Sequence, residues 1–181
     1  MKKRILTWLL AISMLGSLLT VPAGAAAVTK FSDVSDSYTA TAVESLRLMG
    51  VMDGYGDGTF RPDTVLNRAQ FCKMAVYAMD GSGELGRYST VTIFPDVKPS
   101  HWASAYINMA ARKGIISGFA DGKFKPGQTV TAGQAVTILM RGLGYKDEDM
   151  GGVWPQSYMA EAQTNGLLKS TGITSAYAGL T

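Results

Sequence analysis

Apolar positions along the chain change period in a fixed order, and that order occurs twice. Trp102, Tyr106, Met109 and Ala110 recur at the spacing of one helix face, with Ser100 placed to cap the start, Arg112 and Lys113 in the last turn, and Gly114 to end it. Tyr38, Ala42, Val43, Leu46 and Met49 run toward Gly50 in the same manner. Each glycine is followed by a short apolar anchor, Val51-Met52 or Ile115-Ile116, and then by a polar loop dense in turn residues. Gly54 and Gly118 open these loops, where the lack of a Cβ admits positive φ, and Phe60 and Phe124 can plug them into a core. A second helical pattern then begins at a reciprocal cap, Asn67 with Gln70 and Thr131 with Gln134. Behind it come Phe71, Met74, Ala75 and Ala78 in one copy, and Ala135, Ile138, Leu139 and Leu143 in the other. The pattern predicts an all-α chain of tandem helix-loop-helix units.

Aligned on these features, Phe31-x-Asp33-Val34 matches Phe94-x-Asp96-Val97 at an offset of 63 residues, and the later motifs match at 64. One residue is inserted between Val97 and Trp102. A third, partial copy follows at an offset of 52, where Trp154, Tyr158, Ala162, Gly166, Leu167 and Leu168 repeat the spacing from Trp102 to Ile116. Self-similarity of this length is the signature of units that bury their apolar faces on one another. The division is therefore residues 26–90, 91–153 and an incomplete 154–181. The sequence stops about where the second helix of the third unit is expected to start. On this reading Trp154 to Thr181 is poorly anchored and offers an edge for self-association.

The first residues form a secretory leader. Met1-Lys2-Lys3-Arg4 is a basic start, Ile5 to Leu19 is an apolar run too short for the roughly 20 residues of a spanning helix, and Ala23-Gly24-Ala25 fits a cleavage site. Cleavage after Ala25 removes residues 1–25 and leaves no membrane segment. The leader holds three basic and no acidic residues, so its loss turns 17 Lys and Arg against 14 Asp and Glu into 14 against 14. A neutral chain without a basic cluster gives no electrostatic case for nucleic acid. The single cysteine, Cys72, lies on the apolar side of a predicted helix and reads as a buried thiol, so stability must come from helix packing.

Arg68 is the residue that packing alone does not explain. It follows the cap Asn67, where the helix dipole disfavours a cation by roughly 0.3–1 kcal/mol. A solvated arginine is one reading of that position. A rigid loop and first-turn N–H groups beside it favour the other, a grip on an anionic group through charge-assisted hydrogen bonds. The second copy carries Ala132 there, so it cannot bind in the same way. Catalytic inventory is thin: His101 is the sole histidine, and no nucleophile elbow, phosphate loop or metal-spaced His/Cys pair accompanies it, so no enzyme, cofactor or metal is expected. Asp53, Asp57 and Asp121 suggest a calcium module, but counting from Asp53 puts Tyr55 and Thr64 where ligating acids belong.

The ordered set of Phe-x-Asp-Val, a Trp- or Tyr-led helix, Gly-Ile-Ile-x-Gly-aromatic-x-Asp-Gly-x-Phe-basic-Pro and the Asn67-Arg68-Ala69-Gln70 cap resembles the S-layer homology (SLH) domain. The resemblance covers Phe31 to Leu143 well and Trp154 to Leu168 weakly. It implies a pseudo-threefold helical bundle, secreted and held at the bacterial cell surface. It also implies noncovalent attachment to an acidic, often pyruvylated, secondary cell-wall polysaccharide in grooves between repeats. In the family's binding motif the arginine contacts the acidic sugar, which carries over to Arg68. Asp33, Asp96, Trp102 and the loop glycines Gly54 and Gly118 line or shape the grooves, and Tyr55 and Phe119 offer ring faces to the sugar or to the core. Two alternatives stay open: the N-terminal part of a larger surface enzyme or S-layer protein with degenerate repeats, and an extracellular calcium-binding module.

Overall fold

A computed structural model describes residues 30–80, 83–169 and 171–180, so the expected leader lies outside the described residues. Among these, five helices and no strand are present: α1 (Ser37–Leu48), α2 (Arg68–Asp80), α3 (Ser104–Arg112), α4 (Ala132–Gly142) and α5 (Gln156–Thr164), with single 3-10 turns at Leu85–Tyr88 and Asp147–Asp149. The fold is all-α, as the repeat pattern requires.

Both second helices start at the expected reciprocal caps. Asn67 N–H donates to Gln70 Oε1 and Gln70 N–H to Asn67 Oδ1, each at 2.9 Å. Thr131 and Gln134 make the same pair of bonds at 3.3 Å. The first helices differ from expectation. α3 begins at Ser104, beyond Trp102, because His101 N–H bonds back to Lys98 and Ser104 N–H to His101, winding that segment as turns. Ser100 therefore caps nothing, and His101 Nδ1 instead accepts from Ala103 N–H at 3.1 Å. In α1 the expected face holds only in part: Val43 is buried, but Tyr38 and Met49 are 77% and 58% exposed, and the other buried residue is Ala40. Among the described residues α1 contacts no other helix, and it needs only a narrow face, which packs on Phe31, Val34 and Phe60.

The first and second units share the largest core cluster. α2 packs on α3 and α4, and α4 on α5. Ala75 and Val76 of the first unit join Phe94, Ile107, Met109 and Phe124 of the second in a single buried cluster. Cys72 sits inside it, its thiol pushed up to about 12 by burial and so held protonated. Each of the larger side chains, Val76, Phe94, Ile107, Met109 and Phe124, contributes about 1.5–3 kcal/mol on burial. A third cluster, Val136, Met140, Tyr158 and Ala162, fastens α5 to α4.

Backbone hydrogen bonds close the three units about one axis. Leu66 N–H donates to Leu180 O at 2.8 Å, Leu180 N–H to Val130 O at 3.2 Å, and Val130 N–H to Leu66 O at 3.0 Å. The carbonyls of Ala178 and Ala176 also receive the first N–H groups of α4, from Ala132 and Gly133. Residues 176–180 are therefore well held, contrary to the expectation of a poorly anchored third unit. The reason is that the loop, and not a second helix, carries this closure.

Candidate ligand grooves

The carboxylates of the two Phe-x-Asp-Val motifs build the loops. Asp33 accepts from Phe60 N–H at 2.7 Å and Arg61 N–H at 2.6 Å. Asp96 accepts from Phe124 N–H at 2.9 Å and Lys125 N–H at 2.7 Å. These bonds hold Arg61 and Lys125 at φ of 60° and 58°, a left-handed conformation that L residues adopt only under such constraint. Both carboxyls lie below the usual range. For Asp33 the largest cause is the Phe60 N–H; for Asp96 desolvation pushes upward and the two backbone donors together outweigh it. The aspartates thus hold the loops in shape, and neither lines the cavities described below.

The loop glycines serve close packing. A Cβ on Gly54 would lie 2.1 Å from Phe31 Cε1, and one on Gly118 2.7 Å from Phe94 Cε1. Gly54 has the expected positive φ of 72°, whereas Gly118 does not appear among the positive-φ residues and is required by space alone. With the glycine in place, the aromatic of each Phe-x-Asp-Val motif packs directly against its loop.

Arg68 reaches out of the first unit and across the second. Its Nε donates to Phe124 O at 2.8 Å, Nη2 lies 3.5 Å from Ser117 O, and Cζ stands 4.6 Å and 4.5 Å from the ring centroids of Phe119 and Phe124. The residue is 5% exposed. Burial is the chief influence on its pKa, pulling it down, with Cys72 and Asp96 acting the other way; a guanidinium stays charged regardless. No carboxylate pairs with it among the described residues. The N–H groups beside it are not free to bind an anion, because Arg68 N–H donates to Gln128 O and Ala69 N–H to Pro126 O. That part of the expected grip is corrected: the neighbouring unit's loop already caps the helix.

Arg68 lines a cavity of about 70 Å³ together with Gly118, Phe119, Gln134, Arg141 and Trp154. The cavity adjoins a larger one of about 390 Å³ through the shared residues Ser117, Gly118, Phe119, Arg141 and Trp154. Trp154 is 51% exposed and its indole N–H donates to Thr137 Oγ1 at 3.0 Å, so an exposed ring is held in one place. Arg141 Nε and Nη2 donate to Asp147 at 2.8 Å and 2.7 Å, and Nη1 to Ser117 Oγ at 3.1 Å.

Of the sequence-derived candidates, Arg68, Gly118 and Phe119 meet in this groove. Tyr55, Gly54 and Trp102 line a separate cavity of about 340 Å³ beside the first loop, with Lys73 and Asp53 paired at 3.3 Å. Trp102 is 56% exposed and stacks on His101, so it is a surface aromatic and not part of the core. Tyr55 carries Arg61 over its ring at 4.0 Å. Sequence reasoning missed Arg141, Asp147 and Thr137; the spacing of Trp154 was its one visible sign. In the second unit the counterpart of Arg68 is Ala132, fully buried at the start of α4, so that unit supplies no guanidinium at this place.

The loop acids that suggested calcium are engaged. Asp57 binds Arg61 at 2.6 Å and Asp121 binds Lys125 at 3.1 Å. No group of three or more His, Cys, Asp or Glu suited to a metal occurs among the described residues, and no helix there is long and apolar enough to cross a membrane.

Comparison with known proteins agrees with this frame. Residues 30–72 and 93–136 match the S-layer homology domain model. A cell surface protein of Thermoanaerobacter kivui is 38% identical over 87% of this chain and 20% of its own length. A surface layer protein of Brevibacillus choshinensis is 32% identical over 87% of the chain and 14% of its own length. A cellulosome-anchoring protein of Acetivibrio thermocellus is 31% identical over 62% of the chain and 26% of its own length. The chain thus spans only about a quarter or less of the length of these relatives. By its two matched repeats, the chain belongs to the S-layer homology domain family.

Proposed function

We propose that this cell-surface anchoring module holds an acidic cell-wall polysaccharide in the Arg68 groove, without chemistry. The observation that carries the reading is a buried guanidinium with no carboxylate partner among the described residues, facing a small cavity at the junction of the repeats. A cavity of about 70 Å³ is too small for a pyranose ring. At ~15 Å³ per water position it takes roughly five waters, or one carboxylate substituent such as a pyruvate ketal. The ring that bears the acid then falls in the adjoining cavity of about 390 Å³, within the roughly 300–1,000 Å³ of ordinary ligand pockets. Cation and carboxylate meet there in a site partly shielded from water, where a charge-assisted hydrogen bond is strongest.

The cavity beside Tyr55 and Trp102 plays a lesser part. Its cations are already matched, Lys73 by Asp53 and Arg61 by Asp57. Firm attachment comes from several weak grooves or several copies acting together. Self-association through the third unit has no role in this reading, because the loop edge it would use is closed onto Leu66 and Val130.

The test is retention on purified cell-wall sacculi, intact or stripped of their acidic polysaccharide. Intact sacculi should retain the chain and stripped ones should not. Arg68→Met, checked for native helix content by circular dichroism, should lose most of that retention. Equal retention on both preparations would remove the acidic polymer from the account.

A further inference from the structure

The pairing of Arg141 with Asp147 is not needed by the repeat frame. Sixty-four residues earlier the counterpart of Arg141 is Tyr77, which meets Tyr106 hydroxyl to hydroxyl at 3.2 Å with no acid involved. In the second unit, the 3-10 turn Asp147–Asp149 brings a carboxylate to the groove wall. Asp147 remains 66% exposed there, while the Arg141 side chain is 13% exposed. Tyr158 OH also donates to Asp147 Oδ1. Among the described residues Oδ1 thus accepts from Arg141 and Tyr158 and Oδ2 only from Arg141 Nη2, so Oδ2 retains acceptor capacity in a residue that lines the cavity. The fixed Trp154 indole borders the same space.

We infer that Asp147, held by Arg141 and Tyr158, is a specificity-determining residue that reads the hydroxyl groups of the sugar ring whose acidic substituent lies on Arg68. The inference rests on the proposed polysaccharide reading and narrows it. An exposed carboxylate accepts from sugar hydroxyls, while Trp154 offers apolar ring surface beside them. Arg68 selects the acid, and Asp147 selects that the acid be carried on a hydroxyl-bearing ring. A ringless carboxylate satisfies the first requirement alone.

Calorimetric titration with two probes separates these roles: pyruvate as the ringless acid, and a methyl hexopyranoside bearing a 4,6-pyruvate ketal. The unaltered chain should bind the ketal sugar more tightly than pyruvate. Asp147→Asn should weaken the sugar by about tenfold, the size of one charge-assisted hydrogen bond, and leave pyruvate unchanged. Trp154→Leu, which leaves the Arg141–Asp147 pair intact, should likewise weaken only the sugar. Equal losses for both probes in Asp147→Asn would reduce Asp147 to a prop for Arg141 and overturn the inference, as would no loss for either. Equal binding of the two probes by the unaltered chain would overturn it while leaving the acid reading standing. No binding of either probe would sink both.

Discussion

The Arg68 guanidinium of the first unit donates to the Phe124 carbonyl of the second at 2.8 Å, 56 residues away in sequence. One side chain therefore joins two repeats and lines the groove between them. Its removal has two separable effects. Arg68→Ala leaves Phe124 O without its donor and two rings without their cation, and is expected to cost about 2–4 kcal/mol of stability. Arg68→Lys keeps charge and stem but loses the Nε bond and the planar stack. It should cost less stability, about 1–2 kcal/mol, while weakening acid binding strongly. Urea denaturation with a parallel binding titration checks both; a lysine variant that binds as well as the parent would show that charge alone suffices.

The loop of the third unit is expected to contribute measurably to the whole. Deleting residues 171–181 leaves Leu66, Ala132 and Gly133 N–H groups without acceptors, and Ala132 is fully buried. At about 1–3 kcal/mol per buried unsatisfied donor, with water serving some of them, the loss should be about 2–5 kcal/mol. For a chain of this size that is roughly 5–15 °C in Tm. A scanning calorimetry trace unchanged by the deletion would contradict the closed ring.

Acid should loosen the loops first. Asp33, Asp96, Asp121 and Asp147 all titrate below the ordinary carboxylate range, and Asp57 is brought to about 2, chiefly by the Thr59 hydroxyl and then by Arg61. A depressed folded-state pKa means the folded chain binds fewer protons than the unfolded one. The stabilisation is complete above the unfolded value near ~4 and is lost as pH falls through the folded values. Tm should be level between about pH 7 and 5 and fall steadily from about 4 toward 2. Asp96→Asn should lower the plateau by ~1–2 kcal/mol and flatten the acid limb. A Tm that rises on acidification would reverse the sign argued here.

What the sequence made legible follows from the range of each interaction. The caps at Asn67 and Thr131 span three residues and were readable directly. The role of Asp33 was hidden because its donors, Phe60 and Arg61, lie 27 and 28 residues on, beyond any local pattern. Arg68 stood out by position, but its direction depended on a carbonyl in another repeat. Asp147 gave no signal, since it belongs to a 3-10 turn in the connection that the repeat alignment treats as spacer. Periodicity found α1 and its buried Val43 but also placed the exposed Tyr38 and Met49 on that side, because a helix that meets no other helix among the described residues has little apolar stripe to display.

The most direct measurement of the central claim is an NMR titration of the chain with a pyruvylated saccharide, following the Arg68 Nε–H and the Trp154 indole N–H. Saturable shifts at both, with smaller changes at the Trp102 indole, are the expected result. Shifts confined to the Trp102 side, or the same response to the saccharide lacking its acid, would contradict the account.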